Sequence, residues 1–101
     1  MGKTEVVWTE GALREVDSIG AYISLQSSKE AANSFLDRLL DSTDRLGDFP
    51  HSGGIIPENP AFRHVVVAEY RVIYRVMRTL DILAVLAPER KALKILAPKK
   101  K

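Results

Sequence analysis

The sequence predicts a two-layer α+β fold in the order β-α-α-β-β-β, with an antiparallel sheet covered on one face by a helical hairpin. Two amphipathic segments of helical period come first in the chain, and three β-prone runs with short connections follow them. A chain of 101 residues is the size of one domain. Residues 1–101 are therefore predicted to form a single domain, in which residues 97–101 are a flexible basic tail.

The first helix is predicted directly after a short strand. Val6-Val7-Trp8 is a β-prone run, and Thr9 after it supplies a hydroxyl that can cap a helix. The helix itself is indicated by apolar residues at helical spacing, namely Ala12, Leu13, Val16, Ile19 and Ile23. These positions predict an amphipathic helix of about four turns.

The second helix is predicted between a capping signal and a glycine. Ser27-Ser28-Lys29-Glu30 fits a capping box, and Gly47 is expected to end the helix in a left-handed conformation. Its apolar face consists of Ala32, Phe35, Leu36, Leu39, Leu40 and Leu46. Its acidic residues are interpreted as a solvated face, formed by Asp37, Asp41, Asp44 and Asp48. The short link between the helices predicts that they pack as an antiparallel hairpin.

The remainder of the chain is predicted to be a loop and a meander. Residues 49–61 contain three prolines and the pair Gly53-Gly54, which exclude a helix or a central strand. Strand-like runs follow at residues 62–68, 70–77 and 81–87, and their short connections predict antiparallel pairing. Two structures remain open for residues 89–96, a short basic helix or an extended tail.

Alternation along a strand sorts side chains onto the two faces of the sheet. Under the helices we expect Val72, Tyr74 and Val76. On the open face we expect Arg71, Ile73, Arg75 and Met77, and in the preceding run Arg63, Val65 and Val67 alternate with Phe62, His64 and Val66. In the last run both alternating sets are apolar, Ile82, Ala84 and Leu86 on one side and Leu83, Val85 and Ala87 on the other. This strand is therefore expected to be buried on both sides, at least in a complex.

The open face is thus predicted to be partly apolar and partly cationic, which is typical of a groove for a partner segment or an anionic surface. An alternative stays open, in which the arginines only pair with Glu58, Glu69 or Asp81. Charge is also uneven along the chain. Residues 1–59 carry a net charge of −5 and residues 60–101 a net charge of +7, within a total of +2. The basic half favours an acidic or polyanionic partner.

Composition excludes several classes of site. The chain contains no cysteine, which excludes disulfides and thiolate zinc sites and favours a reducing cytoplasm as its location. Its two histidines, His51 in the loop and His64 on a strand, are too far apart in the sequence to predict a metal site, and no cofactor is expected. No run approaches the roughly 18 apolar residues of a membrane span. The first residues lack the apolar core of a secretion signal, so no membrane association is expected.

The order and spacing of several segments resemble the ParE-type toxins of the RelE/ParE superfamily. These segments are Trp8-Thr9, Ala12-Leu13, Ile19, Tyr22-Ile23, the helix with Ala32 and Phe35, Phe49-Pro50-His51-Ser52-Gly53, Tyr70-Arg71-Val72-Ile73-Tyr74-Arg75-Val76 and Asp81-Ile82-Leu83-Ala84-Val85-Leu86. The similarity extends from about Val6 to Leu93. The chain departs from the family at Gly53-Gly54, where Gly-Arg is frequent, and at Ala87-Pro88-Glu89-Arg90, where a His is common.

The resemblance implies the toxin of a type II toxin–antitoxin module, which is neutralised by a cognate ParD-like antitoxin and poisons DNA gyrase by binding. Nucleic acid would be contacted only indirectly, through the antitoxin complex. A RelE-like ribosome-dependent mRNA endonuclease is the alternative, and Arg71 and Arg90 would then be its catalytic residues. A third possibility is a non-toxic relative that acts only in antitoxin binding and operon autoregulation. Binding is favoured over catalysis, because no Tyr follows Tyr74 and no evident general base follows Arg90.

The candidate binding residues, for antitoxin or target, lie on the predicted strands and in the basic C-terminal segment. They are Arg63, Arg71, Ile73, Arg75, Arg90, Lys91 and Lys94. His64 is expected to be a core or rim residue and His51 an exposed loop residue. An antitoxin whose disordered segment folds onto this surface would complement its charge if that segment is acidic. Arg75→Glu is therefore expected to weaken antitoxin binding more at low salt than at high salt.

Overall fold

Residues 2–88 are described by a computed structural model, in which two helices pack against a five-stranded sheet. The elements in chain order are β1 (Val6–Trp8), α1 (Glu10–Gln26), α2 (Lys29–Asp48), β2 (Gly54–Ile55), β3 (Phe62–Val67), β4 (Tyr70–Val76) and β5 (Leu80–Leu86). The predicted α+β class is confirmed. The predictions for residues 89–101, including Arg90, Lys91 and Lys94, lie outside the described residues.

The sheet has the strand order β1-β5-β4-β3-β2. The meander β3-β4-β5 is antiparallel, as predicted. The sheet as a whole is mixed, because β1 runs parallel to β5 and places Val6 beside Leu80 and Trp8 beside Ile82. β2 forms an edge strand within the segment predicted to be a loop, and Gly54 pairs with His64. Proline spacing allows this strand, because Pro50 and Pro57 flank β2 without interrupting it.

Both helices begin at a residue whose hydroxyl caps the helix, whereas the predicted end of α2 differs from the observed one. The Thr9 hydroxyl accepts a hydrogen bond from Ala12 N at 3.3 Å, and the Ser28 hydroxyl accepts one from Ala31 N at 3.0 Å. The cap of α2 is therefore Ser28, and the capping box predicted from Ser27 to Glu30 is wrong, because Ala31 stands at the third helical position. The left-handed stop predicted at Gly47 is wrong, because α2 continues to Asp48 and no glycine among residues 2–88 has a positive φ.

Gly47 is instead a site of close backbone approach. Thr4 N donates a hydrogen bond to Gly47 O at 2.9 Å. A Cβ atom at position 47 would lie 2.9 Å from Thr4 O, which is too close for any other residue without a shift. Glycine at this position lets the N-terminal segment pass directly over the last turn of α2.

The helices and the sheet share one apolar cluster of buried side chains. Val72 and Tyr74 of β4 are fully buried in it, as alternation predicted, and the Phe35 ring packs against Tyr70 at a tilt of 58° with ring centroids 5.0 Å apart. The other members are Ala12, Ile19, Leu39, Leu46, Val67, Leu80, Ile82 and Val85. Each large apolar side chain buried in this way contributes roughly 1.5–3 kcal/mol to folding.

A β-bulge in β5 overturns one predicted face assignment. Ile73 pairs with Ala84 and Tyr74 with Ile82, so Leu83 has no partner in β4. The extra residue turns Val85 to the same face as Ile82, whereas simple alternation placed them on opposite faces. Without a partner this strand is not buried on both faces, because Leu86 is 40% exposed, and its burial in a complex stays a prediction.

Side chains of α1 hold the bulge. The Thr9 hydroxyl donates to Ile82 O at 2.8 Å, and a Glu15 carboxylate oxygen accepts from Val85 N at 2.8 Å. The Glu15 contact satisfies a backbone group of β5 that lies beyond the end of β1, and the Thr9 hydroxyl adds a second donor to Ile82 O, which already accepts from Thr9 N.

The loop between α2 and β2 is fixed to the sheet by a cluster that we call the loop clamp, formed by Tyr74, Gly53 and Arg63. The Tyr74 hydroxyl donates to Pro50 O at 2.9 Å and accepts from Gly53 N at 2.9 Å. The Arg63 guanidinium donates to Gly53 O at 2.8 Å and to His51 O at 3.1 Å. A Cβ atom at position 53 would lie 2.5 Å from the Tyr74 hydroxyl and 2.8 Å from His64 O, so only glycine fits.

We expect Gly53→Ala to lower the free energy of unfolding by about 1–3 kcal/mol, because the added methyl overpacks the loop clamp. Gly54→Ala is the matched control, since its Cβ atom would meet only the His64 ring, at 3.4 Å. The control is expected to change stability by less than about 0.5 kcal/mol. Urea denaturation of both variants measures the difference, and equal stabilities would contradict a steric need for glycine at position 53.

Candidate functional site

The sheet face opposite the helices, which we call the open face, carries most of the candidate residues in the described part of the chain. Strand register arranges its side chains in rows across the sheet. The first row consists of Val66, Arg71 and Leu86. Val66 is 65% exposed, Leu86 is 40% exposed, and Arg71 between them is exposed as well. Arg71 makes no ion pair with any residue of 2–88. This row therefore presents an available cation flanked by apolar surface.

The second row is more deeply buried. Ile73 lies between His64 of β3 and Ala84 of β5 and is only 8% exposed. Ile73 is thus part of the floor of the open face and does not project from it. His64 is partly buried, in agreement with its predicted place, and its Nδ1 atom has no hydrogen-bond partner among residues 2–88.

The third row contains an ion pair. Arg75 Nη2 lies 3.4 Å from Asp81 Oδ2 across the β4-β5 ladder, and the Thr79 hydroxyl donates to Asp81 Oδ1 at 2.6 Å. The pair is partly exposed, with 40% of the Arg75 side chain accessible, so it contributes at most about 1 kcal/mol to stability. Pairing with Asp81, one of the alternatives left open by the sequence, therefore applies to Arg75 and not to Arg71.

Arg63 is placed differently from the other candidate arginines. It stands opposite Tyr74 in the β3-β4 register, and its guanidinium is engaged by the loop clamp. Its contacts hold a loop in place, which is a structural role that the sequence did not reveal. Among the candidate cations within residues 2–88, Arg71 is the one for which these residues supply no ion-pair partner.

Two side chains of the open face that could act as bases, Asp81 and His64, are constrained by their surroundings. A general base must lie within hydrogen-bond reach of the group that it deprotonates. Asp81 is engaged by Thr79 and Arg75, and the Nδ1 atom of His64 is buried. No group of three His, Cys, Asp or Glu residues in the described part of the chain is arranged to hold a metal ion. Cationic and apolar side chains in one row can instead hold a partner with acidic and apolar groups.

Comparison with known proteins decides the family. The family described as "ParE toxin of type II toxin-antitoxin system, parDE" matches residues 6–91. The chain belongs to this ParE toxin family. A relative from Sinorhizobium fredii named "Putative toxin Y4kP" is 36% identical over 90 residues, which are 85% of this chain and 90% of that protein.

A solved structure also matches the fold. The protein named "Chromosomal ParDE TA system from P. aeruginosa" aligns with a TM-score of 0.74 over 84% of this chain and 96% of that chain, at 19% identity. At this identity the match shows the fold alone. Neither helix of the described residues contains an apolar stretch long enough to cross a membrane.

The loop clamp explains part of the sequence pattern that this chain shares with ParE toxins. The Phe49 to Gly53 segment contributed to the resemblance with ParE toxins, and the structure supplies a physical reason for its pattern. Gly53 is needed where the Tyr74 hydroxyl approaches the loop backbone. The signal for this contact was present in the sequence, because a buried tyrosine hydroxyl must find a hydrogen-bond partner.

Two acidic residues of α2 form ion pairs with the N-terminal segment. Lys3 Nζ lies 3.1 Å from Asp44 and 3.6 Å from Asp48, and Asp44 is the main cause of a raised Lys3 pKa. Asp37 and Asp41 are exposed, as predicted for a solvated helix face. The acidic face is therefore a surface feature that also anchors residues before β1.

We expect Tyr74→Phe to lower the free energy of unfolding by about 1–3 kcal/mol at neutral pH, because Gly53 N–H would remain buried without a partner. Burial raises the pKa of Tyr74 above its usual value of 10.0, against smaller opposing effects of Gly53 and Arg63. The folded state therefore favours the neutral phenol. Its contribution is present below pH 10 and is lost as the pH rises through 10 towards the raised pKa of the folded state.

Chemical denaturation of the wild type and of Tyr74→Phe across this alkaline range measures the effect. Stability should fall less steeply with pH in the variant, because it lacks the phenol that ionises on unfolding. Identical slopes for the two proteins would contradict the burial argument.

Proposed function

We propose that this ParE-family chain inhibits growth by binding to DNA gyrase and performs no chemistry of its own. The observation that supports this proposal is the first row of the open face, in which Arg71 is available between Val66 and Leu86. On the same face, the Asp81 carboxylate is already engaged by Thr79 and Arg75, which disfavours its use as a catalytic base. A cation with apolar flanks has the composition of a protein-binding surface, where arginine and apolar side chains are enriched.

We further propose that a ParD-like antitoxin neutralises the toxin by covering its exposed apolar surface. Large apolar side chains are exposed both on the helices and on the sheet, among them Leu13, Leu40, Phe49, Val66, Met77 and Leu86. A disordered antitoxin segment that folds on binding is suited to such a dispersed surface. Acidic residues in this segment would complement the basic half of the chain, and nucleic acid would be bound only through the antitoxin complex, in the cytoplasm.

Ribosome-dependent mRNA cleavage is the second candidate, and Arg71 is the observation that favours it. An available guanidinium can stabilise the negative charge of a phosphorane. Cleavage also requires a group that activates the ribose hydroxyl. Tyr74 does not fit this task, because its hydroxyl is buried in the loop clamp. Gyrase binding therefore remains the preferred proposal.

Purified antitoxin-free toxin should inhibit gyrase supercoiling of relaxed plasmid and leave mRNA intact in a ribosome-dependent cleavage assay. Arg71→Glu should raise the toxin concentration needed for inhibition by about tenfold, since a lost charged contact costs roughly 1.4 kcal/mol. Arg14→Glu is the matched control, because Arg14 is exposed on α1 and lies away from the open face. It should inhibit like the wild type.

Each other outcome of these assays has a clear meaning. Cleavage of mRNA without an effect on gyrase would contradict the proposal and favour the nuclease. Neither effect, from a folded toxin, would favour a non-toxic relative that acts only in antitoxin binding and autoregulation. Equal loss of inhibition in Arg71→Glu and Arg14→Glu would indicate a general charge effect and remove the open face from the proposal.

Arg75→Glu should weaken antitoxin binding more at low salt than at high salt, because screening shortens the range of the lost attraction. The ion pair with Asp81 adds a second effect, since the variant places two carboxylates opposite each other on β4 and β5. The double variant Arg75→Glu/Asp81→Arg is the control, because it restores the ion pair in reversed order. Calorimetric titration at two salt concentrations should show partly restored binding in the double variant, and wild-type affinity for Arg75→Glu at low salt would refute the prediction.

A further inference from the structure

At each side of the sheet, a short edge strand pairs with only part of its neighbour. The unpaired parts of the two neighbours, β5 and β3, differ in what lies beside them. At one side, β1 covers β5 only at residues 80–82. At the end of this pairing the Thr9 hydroxyl donates to Ile82 O, and beyond it a Glu15 carboxylate oxygen accepts from Val85 N, so side chains occupy the edge. This half of β5 is closed to a further strand.

At the other side, β2 covers β3 only at Arg63 and His64. Within residues 2–88, no strand lies next to residues 65–67 on this side. Ile56 N donates to Phe62 O, so the even-numbered residues of β3 direct their backbone groups towards β2. Val66 belongs to the same set, and its N–H and C=O point out of the sheet beyond the end of β2. This half of β3 is a short edge with no side-chain plug among the described residues.

A cleft of about 310 Å³ adjoins this open edge. It is lined by Arg45, Leu46 and Phe49 at the end of α2 and by residues 65–67 of β3. Phe49 is 66% exposed, although it is a large apolar side chain. Arg45 is exposed and forms no ion pair within the described part of the chain. An added strand lies about 4.8 Å from its neighbour, and its alternate side chains would point into this cleft.

We propose that residues 65–67 of β3 and the adjoining cleft form a strand-addition site for an extended segment of the antitoxin. The inference deepens the proposed function and rests on its antitoxin. The segment pairs with the backbone of Val66, places an apolar side chain against Leu46 and Phe49, and places a carboxylate next to Arg45. Strand addition uses backbone bonds for affinity and side-chain pockets for specificity.

A second copy of this chain fits the edge less well than a separate segment does. Because β2 of each copy occupies the same side of β3, pairing between two copies would be confined to residues 65–67. It would also bring the Arg45 side chains of both copies towards one interface. An extended acidic and apolar segment has neither restriction.

Amide hydrogen exchange, measured by NMR on the toxin with and without the antitoxin encoded beside it, tests the proposal. The Val66 amide should exchange about 100-fold more slowly in the complex, because it gains a strand partner. The His64 amide is the internal control, since it already lies opposite Gly54 and should be slow in both states. A complex in which Val66 still exchanges rapidly overturns this inference and leaves the proposed function intact. Failure to form any complex overturns both.

Two matched variants measure the contribution of the cleft. Phe49→Ala should weaken antitoxin binding about tenfold, as expected for an aromatic side chain at an interface. Leu25→Ala, which truncates a side chain on α1 that is 85% exposed, should leave binding within about twofold. Equal losses in both variants would contradict a localised site. Concentration-dependent protection of Val66 without antitoxin would overturn the proposal in favour of pairing between two copies.

Discussion

The hydroxyl of Tyr74 is the contact on which the arrangement of the functional surfaces depends. It lies on the helix-facing side of a central strand, yet it bonds to Pro50 and Gly53 of the loop after α2. The loop is thereby held at a fixed distance from the sheet, with Arg63 as its second attachment. The positions of Phe49 and β2 follow from this attachment, and so do the cleft and the short open edge of β3.

The strand Tyr70–Val76 that marks the ParE resemblance combines separate tasks. Its inward side chains build the core, and Tyr74 additionally fixes the loop. Its outward arginines differ from each other, because Arg75 is neutralised by Asp81 whereas Arg71 has no ion-pair partner among residues 2–88. A segment can therefore be diagnostic of the family while only a small part of it is available for binding. The open face gains its chemical character from register, which places Arg71 between exposed apolar side chains.

Sequence patterns predicted those features that depend on neighbouring residues. Periodicity located both helices and assigned Val72 and Tyr74 to the core, and the cap at Thr9 followed from its hydroxyl. Features that depend on distant residues were missed. The bulge at Leu83 is stabilised by Thr9 and Glu15. Their hydrogen bonds to β5 join residues that are 73 and 70 positions apart in the sequence. Likewise, alternation placed arginines on β3 and β4, but only tertiary contacts decide which of them are already paired.

The difference between the two sheet edges, one blocked by a side chain and one short and open, is consistent with a toxin that binds a partner segment. An exposed strand edge is an aggregation hazard, and proteins limit it with side-chain plugs or short, interrupted strands. The edge of β5 has the plug, supplied by Glu15. The edge of β3 is limited by length, because β2 shields it up to His64 and the turn after Val67 ends it. A segment of three residues exposes too little backbone to pair stably by itself. It can nevertheless fix the register of a partner strand when a cleft beside it supplies side-chain contacts, and such a requirement makes the edge selective for an antitoxin.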